Sequence, residues 1–201
     1  MAGSKLPYLL FLAFLILLNA AVFYVPYAAS RGDVNAQIMY SSFAPTCHQL
    51  TSRSNCLFVS SADGSYSFGD CLPSDQLSYT RANAVAIGEE TGYKLPVCSR
   101  DVAIYLAMLL GALVLPFVRR IESDVWPNKW LLVAACVPIA IDGGTQLIGM
   151  RESSNAMRMI TGAIVGVVLP FYIVPMMNSL WGIVEEKIVK EKKMKKSSSQ
   201  P

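Results

Sequence analysis

The chain has 201 residues, of which 53% are hydrophobic and only 15% charged, and its mean hydropathy is +0.41. Soluble domains carry about 25% charged residues, so this composition belongs in a membrane rather than in water. The net charge is +3 and the basic residues gather near the C-terminal end, at 187–196; with no basic face elsewhere, nucleic acid is excluded as a partner.

Four apolar runs follow in order. Residues 6–27 are interrupted only by Asn19, long enough to cross a hydrocarbon core of about 30 Å. Tyr27-Ala28-Ala29-Ser30 would suit a cleavage site, but the run exceeds the ~7–15 apolar residues of a signal peptide. It is therefore taken as a retained helix, within residues 1–27. Residues 102–118, 130–150 and 157–184 are the other three runs. Together they predict an all-α membrane protein, a bundle of four transmembrane helices, with the last three inside 99–185. Arg119, Arg120 and Lys129 lie in one short loop and the basic tail occupies 186–201; basic flanks stay cytoplasmic. Both termini of this multi-pass protein of the cell membrane are then cytoplasmic, and residues 28–98 form an extracytoplasmic cap. Within the bundle, Gly162 and Gly166 give a small face for close packing, Gly143, Gly144 and Gly149 thin the third span, and Asn19 and Asn178 are expected to hydrogen-bond between helices.

The cap carries one strong local signal. Asp63-Gly64 is a two-residue turn pair between two short apolar runs, which predicts a hairpin. Counting out from that turn places Cys56 directly opposite Cys71, at a Cα separation of roughly 5.5 Å that a disulfide spans. Outside the cytoplasm the pair oxidises. Further along, residues 78–90 set Ala82, Val85 and Ala86 on one side of a short amphipathic helix.

Three clusters could carry chemistry. The first is Pro96-Val97-Cys98-Ser99-Arg100-Asp101, where the cap runs into the second span; Cys98 and Asp101 share a face of its first turn. The second is Cys47-His48, which contains the single histidine of the chain. Cys47 and Cys98 admit three outcomes: a second disulfide, a zinc site in which Cys47, His48, Cys98 and Asp101 supply a mixed sulfur, nitrogen and oxygen set, or a reactive thiol at Cys98 with His48 as base. The third cluster is Asp142 with Gln146 four residues on, followed by Arg151, Glu152 and Asn155. A carboxylate at that depth costs about 2.5–3.5 kcal/mol unless paired, and Arg100, Arg151 and Arg158 are the candidate partners. Such a pair serves a structural lock as well as a functional carboxylate. Glu152 and the serines after it read as a solvated turn, and Cys136 as a small buried hydrophobe.

Cys47-His48-Gln49 with Arg53-Ser54, then Pro96 to Asp101 with Ile104-Tyr105, Asp142-Gly143 with Gln146, and Arg151-Glu152-Ser153 with Asn155, resemble in combination a family of small polytopic membrane proteins of archaea and bacteria, domain of unknown function 2085. The resemblance runs from Cys47 to Gly166. It implies a membrane topology and a shared polar constellation, and supplies no activity. Relatives carry a cysteine where this chain has Asp101, so the sulfur-rich set that the resemblance implies is mixed here.

The residues together describe an outward-facing polar site in a membrane protein. In its enzymatic form it is a metal- or thiol-dependent hydrolase or transferase acting on a lipid or lipid-linked substrate, with zinc as cofactor and the bilayer as partner. Asp142 and His48 are then the acid and base, and Arg100, Gln146, Arg151 and Asn155 hold the substrate. The alternatives are a non-catalytic membrane scaffold and a small transporter subunit. An open pocket shared by His48, Asp101 and Asp142 favours the enzyme; Asp142 sealed against one arginine favours the scaffold; a channel past Cys136 and Pro138 favours transport.

Overall fold

A computed structural model describes residues 4–72 and 80–198. In chain order these form α1 (Leu6–Ser30), α2 (Ala36–Phe43), β1 (Asn55–Ser60), β2 (Tyr66–Asp70), β3 (Ala84–Ile87), β4 (Glu90–Lys94), α3 (Ser99–Val118), α4 (Lys129–Leu147), α5 (Asn155–Val168) and α6 (Pro170–Ser198). Four segments are long and apolar enough to cross a membrane: Leu6–Ser30, Ser99–Val118, Lys129–Leu147 and Asn155–Val189. The last is two consecutive helices rather than one. Pro170 has no N–H to donate and takes the first position of α6, where that loss is harmless.

The start of α1 lies beside the loop after α3, where Lys5 reaches Glu122 at 3.8 Å. It follows that the end of α1, the start of α3, the end of α4 and the start of α5 share the opposite end, with the sheet. At the bundle centre α3 and α5 meet backbone to backbone. A Cβ on Gly162 would stand 2.6 Å from the Arg100 carbonyl oxygen, and one on Gly166 would stand 2.5 Å from that of Ile104. Only glycine permits this approach. The glycines of the third span behave differently from expectation: Gly144 in α4 and Gly149 just past it have no neighbour within 4 Å of such a Cβ, and that of Gly143 is the Arg100 guanidinium. Asn19 does bridge helices, donating to Leu15 and to Tyr105 on α3. Asn178 instead donates to the carbonyls of Ile121 and Ser123 in the loop after α3.

The protein is mostly helical but not all-α. A four-stranded antiparallel sheet, in the order β2-β1-β4-β3, stands between α2 and α3 in the chain. The expected helix over 78–90 is corrected by it: residues 84–87 are β3, paired with β4 across a turn in which Gly88 has φ +61°. Residues 78 and 79 lie outside the described residues. An isolated helix of that length is marginal in water, whereas as a strand the segment satisfies the free edge of β4 and lays Val85 on the buried Cys56, Phe58 and Cys71.

The Cys56–Cys71 disulfide forms as expected, with Cα atoms 4.9 Å apart, but the hairpin register differs by two residues. Cys56 faces Gly69, and Cys71 lies just past β2, its N–H donating to the Ser54 carbonyl. A two-residue type I′ turn needs positive φ at both central positions; here Gly64 alone has it, at +69°. The connection widens to 61–64, held by the Asp63 carboxylate, which accepts from the Ser65 N–H and hydroxyl at 3.0 and 2.8 Å.

The Gly162 approach makes a direct prediction. Gly162→Leu forces α3 from α5 and should cost about 1–3 kcal/mol, the range for overpacking, seen as a lower unfolding midpoint in detergent; an unchanged midpoint would show that the helices do not touch there.

Candidate functional site

The site begins with the loop that follows α2. Gln49 takes a left-handed φ of +55° and is held on two sides: its Nε2 donates to the Tyr40 carbonyl at 2.8 Å, and its own carbonyl accepts from Lys94 Nζ at 2.5 Å. Lys94 ends β4 and is wholly buried. Burial pulls its amine down to about 8, because the charged form loses its hydration. Behind the loop, Val22, Leu95, Val97 and Val102 form an apolar cluster touching Phe43, Cys47 and Tyr105. Cys47 is thus fixed by the cap, by α1 and by α3 together.

Cys98 is the N-cap residue of α3, with Asp101 in the first turn. Its backbone N–H donates to Cys47 Sγ at 3.2 Å, and that of Gln49 does so at 3.4 Å. Cys98 Sγ lies 3.1 Å from Asp101 Oδ2, so its one S–H has two acceptors in reach, that carboxylate and the Cys47 sulfur. Both cysteines are free thiols. Hydrogen bonding from the Cys98 thiol, helped by the two backbone N–H groups and opposed by burial, lowers Cys47 to about 7. The same bond, with burial and the Asp101 charge, raises Cys98. Of the pair, Cys47 is therefore the sulfur that gives up its proton first. The ligand atoms of Cys47, Cys98 and Asp101 lie within 4.8 Å of one another.

Beside this triad is a network of ion pairs. Asp142, 1% exposed, accepts from Arg100 at 2.5 Å and from Arg151 at 3.0 Å, two of its three expected partners. Arg158 turns instead to Asn155, at 2.9 Å, and lies 3.8 Å from Glu152. Glu152 is exposed, as a solvated turn would be, yet it accepts from Gln146 at 2.7 Å and stands 3.7 Å from Arg53. Sequence reasoning set Glu152 in the third cluster and Arg158 among the partners of Asp142 without giving either a role in the site, and it overlooked Arg53 and Lys94. An arginine inside an apolar run was a usable signal for Arg158, and the Arg53-Ser54 motif for Arg53. Nothing marked Lys94.

A cavity of about 170 Å³ opens between the triad and the network, lined by Cys47, His48, Arg53, Cys98, Arg100, Asp101, Gln146 and Arg158 among others. A second, of about 230 Å³, lies against the same loop and reaches Arg81. His48 is exposed and borders both cavities, while the three-ligand group does not include it. Asp142 stands behind Arg100 rather than in the cavity lining.

An uncharacterised protein of Methanocaldococcus jannaschii is 32% identical over 174 residues, covering 84% of this chain and 90% of the relative. Residues 90–172 match the family described as predicted membrane protein, DUF2085. The chain belongs to the DUF2085 family. An uncharacterised protein of Methanothermobacter thermautotrophicus is 40% identical over 79 residues, 38% of this chain and 67% of the relative. No solved structure matches the chain significantly. The DUF2085 match spans β4 to the start of α6 and so contains Cys98, Asp101, Asp142 and Arg158; Cys47, His48 and Arg53 precede it. Family and apolar helices together make this a multi-pass membrane protein.

The lowered Cys47 gives a pH prediction. A thiol depressed in the fold adds stability that is complete above its ordinary range and lost as pH falls through about 7. Alkylation of Cys47 in chelator-treated protein should therefore have its midpoint near pH 7, and Cys98→Ala, which removes the donor, should move it upward; a midpoint at the ordinary thiol value of about 8.5 would contradict this.

Proposed function

We propose that this DUF2085 protein is a membrane metalloenzyme, a hydrolase or transferase whose Cys47, Cys98 and Asp101 hold one zinc ion and which acts on a lipid or lipid-linked substrate. The observation that carries the reading is the convergence of two free thiols and a carboxylate within 4.8 Å, beside a cavity. Ligands about 2.0–2.3 Å from a tetrahedral zinc stand roughly 3.3–3.8 Å from one another, so the three need close only slightly. The chemistry of the set also fits: Cys47 is already biased to the thiolate, the form that binds metal.

Structural zinc sites have four protein ligands, and catalytic ones three with an open position. This set has three. Zinc held there would supply Lewis acidity to a bound carbonyl or phosphoryl oxygen. The remaining roles fall to the chain's own residues. His48, on the rim between the two cavities, is placed to carry protons in and out. Asp142, with both oxygens engaged by guanidinium groups, orients Arg100 toward the cavity, a positioning role in place of the acid or base expected from sequence. Gln146 and Arg100 border the space that a substrate would enter, with Arg151 and Asn155 supporting from behind. Of the three residues whose shared pocket would favour the enzyme, His48 and Asp101 border the cavity and Asp142 is sealed against two arginines; a scaffold accounts for those ion pairs but gives no use to Cys47, Cys98 and Asp101 gathered at a cavity.

The site lies at the end opposite Arg119, Arg120, Lys129 and the basic tail. Basic residues stay cytoplasmic, which would set the cavity at the extracytoplasmic membrane surface with both termini inside. The disulfide-bonded sheet accords with an oxidising compartment.

Metal analysis of the purified protein, paired with thiol counting before and after reduction, tests the reading. It predicts one zinc per chain with Cys47 and Cys98 reduced. Cys98→Ser should weaken zinc binding by more than about 100-fold, since changes to groups that only support the ligands already cost about 10–100-fold. Two disulfides and no metal would exclude the centre.

A further inference from the structure

We propose that Arg53, Arg100 and Arg158 form a subsite for a phosphate-type oxyanion beside the metal centre. As the subsite for the substrate's anionic group, it rests on the metal reading; as a site for the anion itself, it stands on the arginines alone.

The three guanidinium groups come from separate elements. Arg53 ends the 3-10 turn Thr51–Arg53, Arg100 lies in the first turn of α3 and Arg158 in the first turn of α5, and all three border the same cavity of about 170 Å³. Their donors are not consumed by the protein. Arg158 is 4% exposed, yet its partners are the neutral Asn155 oxygen and a Glu152 oxygen 3.8 Å away. Arg53 reaches that same oxygen only at 3.7 Å, beyond hydrogen-bonding distance, and the oxygen already accepts from Gln146. Arg100 gives one nitrogen to Asp142, but its Nε is buried without an acceptor. A buried donor left unmade costs about 1–3 kcal/mol; among the three side chains Arg100 carries one, and an anion that reached it would relieve it while adding charge-assisted bonds to the other two forks.

The charges around the cavity agree. Of the charged residues that line the cavity, Arg53, Arg100 and Arg158 outnumber Asp101 by two, an excess that a Cys47 thiolate alone lowers to one. A zinc ion bound by two thiolates leaves the excess of the arginines over Asp101 unchanged. The geometry selects the class of anion. A planar carboxylate matches one guanidinium fork, whereas a tetrahedral oxyanion presents acceptors to several forks arriving from different directions. The cavity holds a phosphate group with some water, given about 30 Å³ per water molecule, and not an acyl chain. Inorganic phosphate and the phosphate ester of a lipid headgroup offer the same chemistry, and the test separates them.

The experiment titrates inorganic phosphate into the full-length detergent-solubilised protein, zinc-loaded and chelator-treated, by calorimetry. Binding should persist after chelation and weaken about tenfold or more in Arg53→Gln, the loss of one charged fork. Arg53 is partly exposed, so that variant should fold even if the buried Arg158→Gln does not. Repetition in nanodiscs of phosphatidylcholine, with and without phosphatidic acid, identifies the source. Phosphate displaced by phosphatidic acid assigns the subsite to a lipid headgroup, and phosphate binding unchanged by it assigns a soluble phosphate; either supports the subsite. Phosphate binding in protein that never takes up zinc would keep the subsite and remove the metal reading. Binding abolished by chelation would place the anion on the metal and overturn the arginine subsite while sparing the centre. Absence of phosphate binding, or binding indifferent to Arg53→Gln, would overturn it outright.

Discussion

The carboxylate of Asp142, buried near the end of α4 and shared by Arg100 and Arg151, constrains everything around it. Unpaired at that depth it would be costly, and the arginine that pairs with it is held a second time by its backbone. The Arg100 carbonyl lies against Gly162 of α5, where a Cβ would not fit. The first turn of α3 is therefore clamped between α4, through a side chain, and α5, through a backbone contact. Cys98 and Asp101 flank Arg100 on that turn. Their positions follow from that salt bridge and glycine as well as from the contact of Cys98 with Cys47.

Cys47 arrives from the other half of the molecule. The central pair β1 and β4 delivers Lys94 under the loop, and its amine on the Gln49 carbonyl stabilises a left-handed residue that is rare outside glycine. That conformation turns the Gln49 N–H toward Cys47, and the N–H of Cys98 meets the same sulfur from the helix side. The Cys47 sulfur is thus the joint between cap and bundle. A sheet that ended elsewhere would leave two unrelated cysteines; this one brings them to each other, to a carboxylate and to a cavity bordered by arginines.

How much of this the sequence disclosed depended on how local the information was. The apolar spans were legible because bilayer thickness sets their length. Asp142 was legible as needing an arginine, since a membrane carboxylate has few affordable alternatives. The Cys56–Cys71 bridge was legible through the hairpin, although the register was not: the conformation of Asp63 depends on its side chain capping Ser65, which a dipeptide signal does not encode. β3 was hidden because Ala82, Val85 and Ala86 fit the helical period, and what makes the segment a strand is the open edge of β4, itself placed by pairing with β1 far back in the chain. Lys94 was hidden for a related reason. A lysine in a polar loop looks solvated until the topology buries it, and its partner is a carbonyl 45 residues away. Glu152 looked like part of a turn until α5 brought Arg158 back beside it.

The central claim is that the meeting of Cys47, Cys98 and Asp101 is a metal centre with an open position. X-ray absorption at the zinc edge of the purified, reduced protein tests it most directly. The account predicts two sulfur neighbours at about 2.3 Å and one or two oxygen or nitrogen neighbours near 2.0 Å, with one sulfur lost in Cys98→Ser. Zinc surrounded only by light atoms, or a spectrum unchanged in that variant, would contradict it.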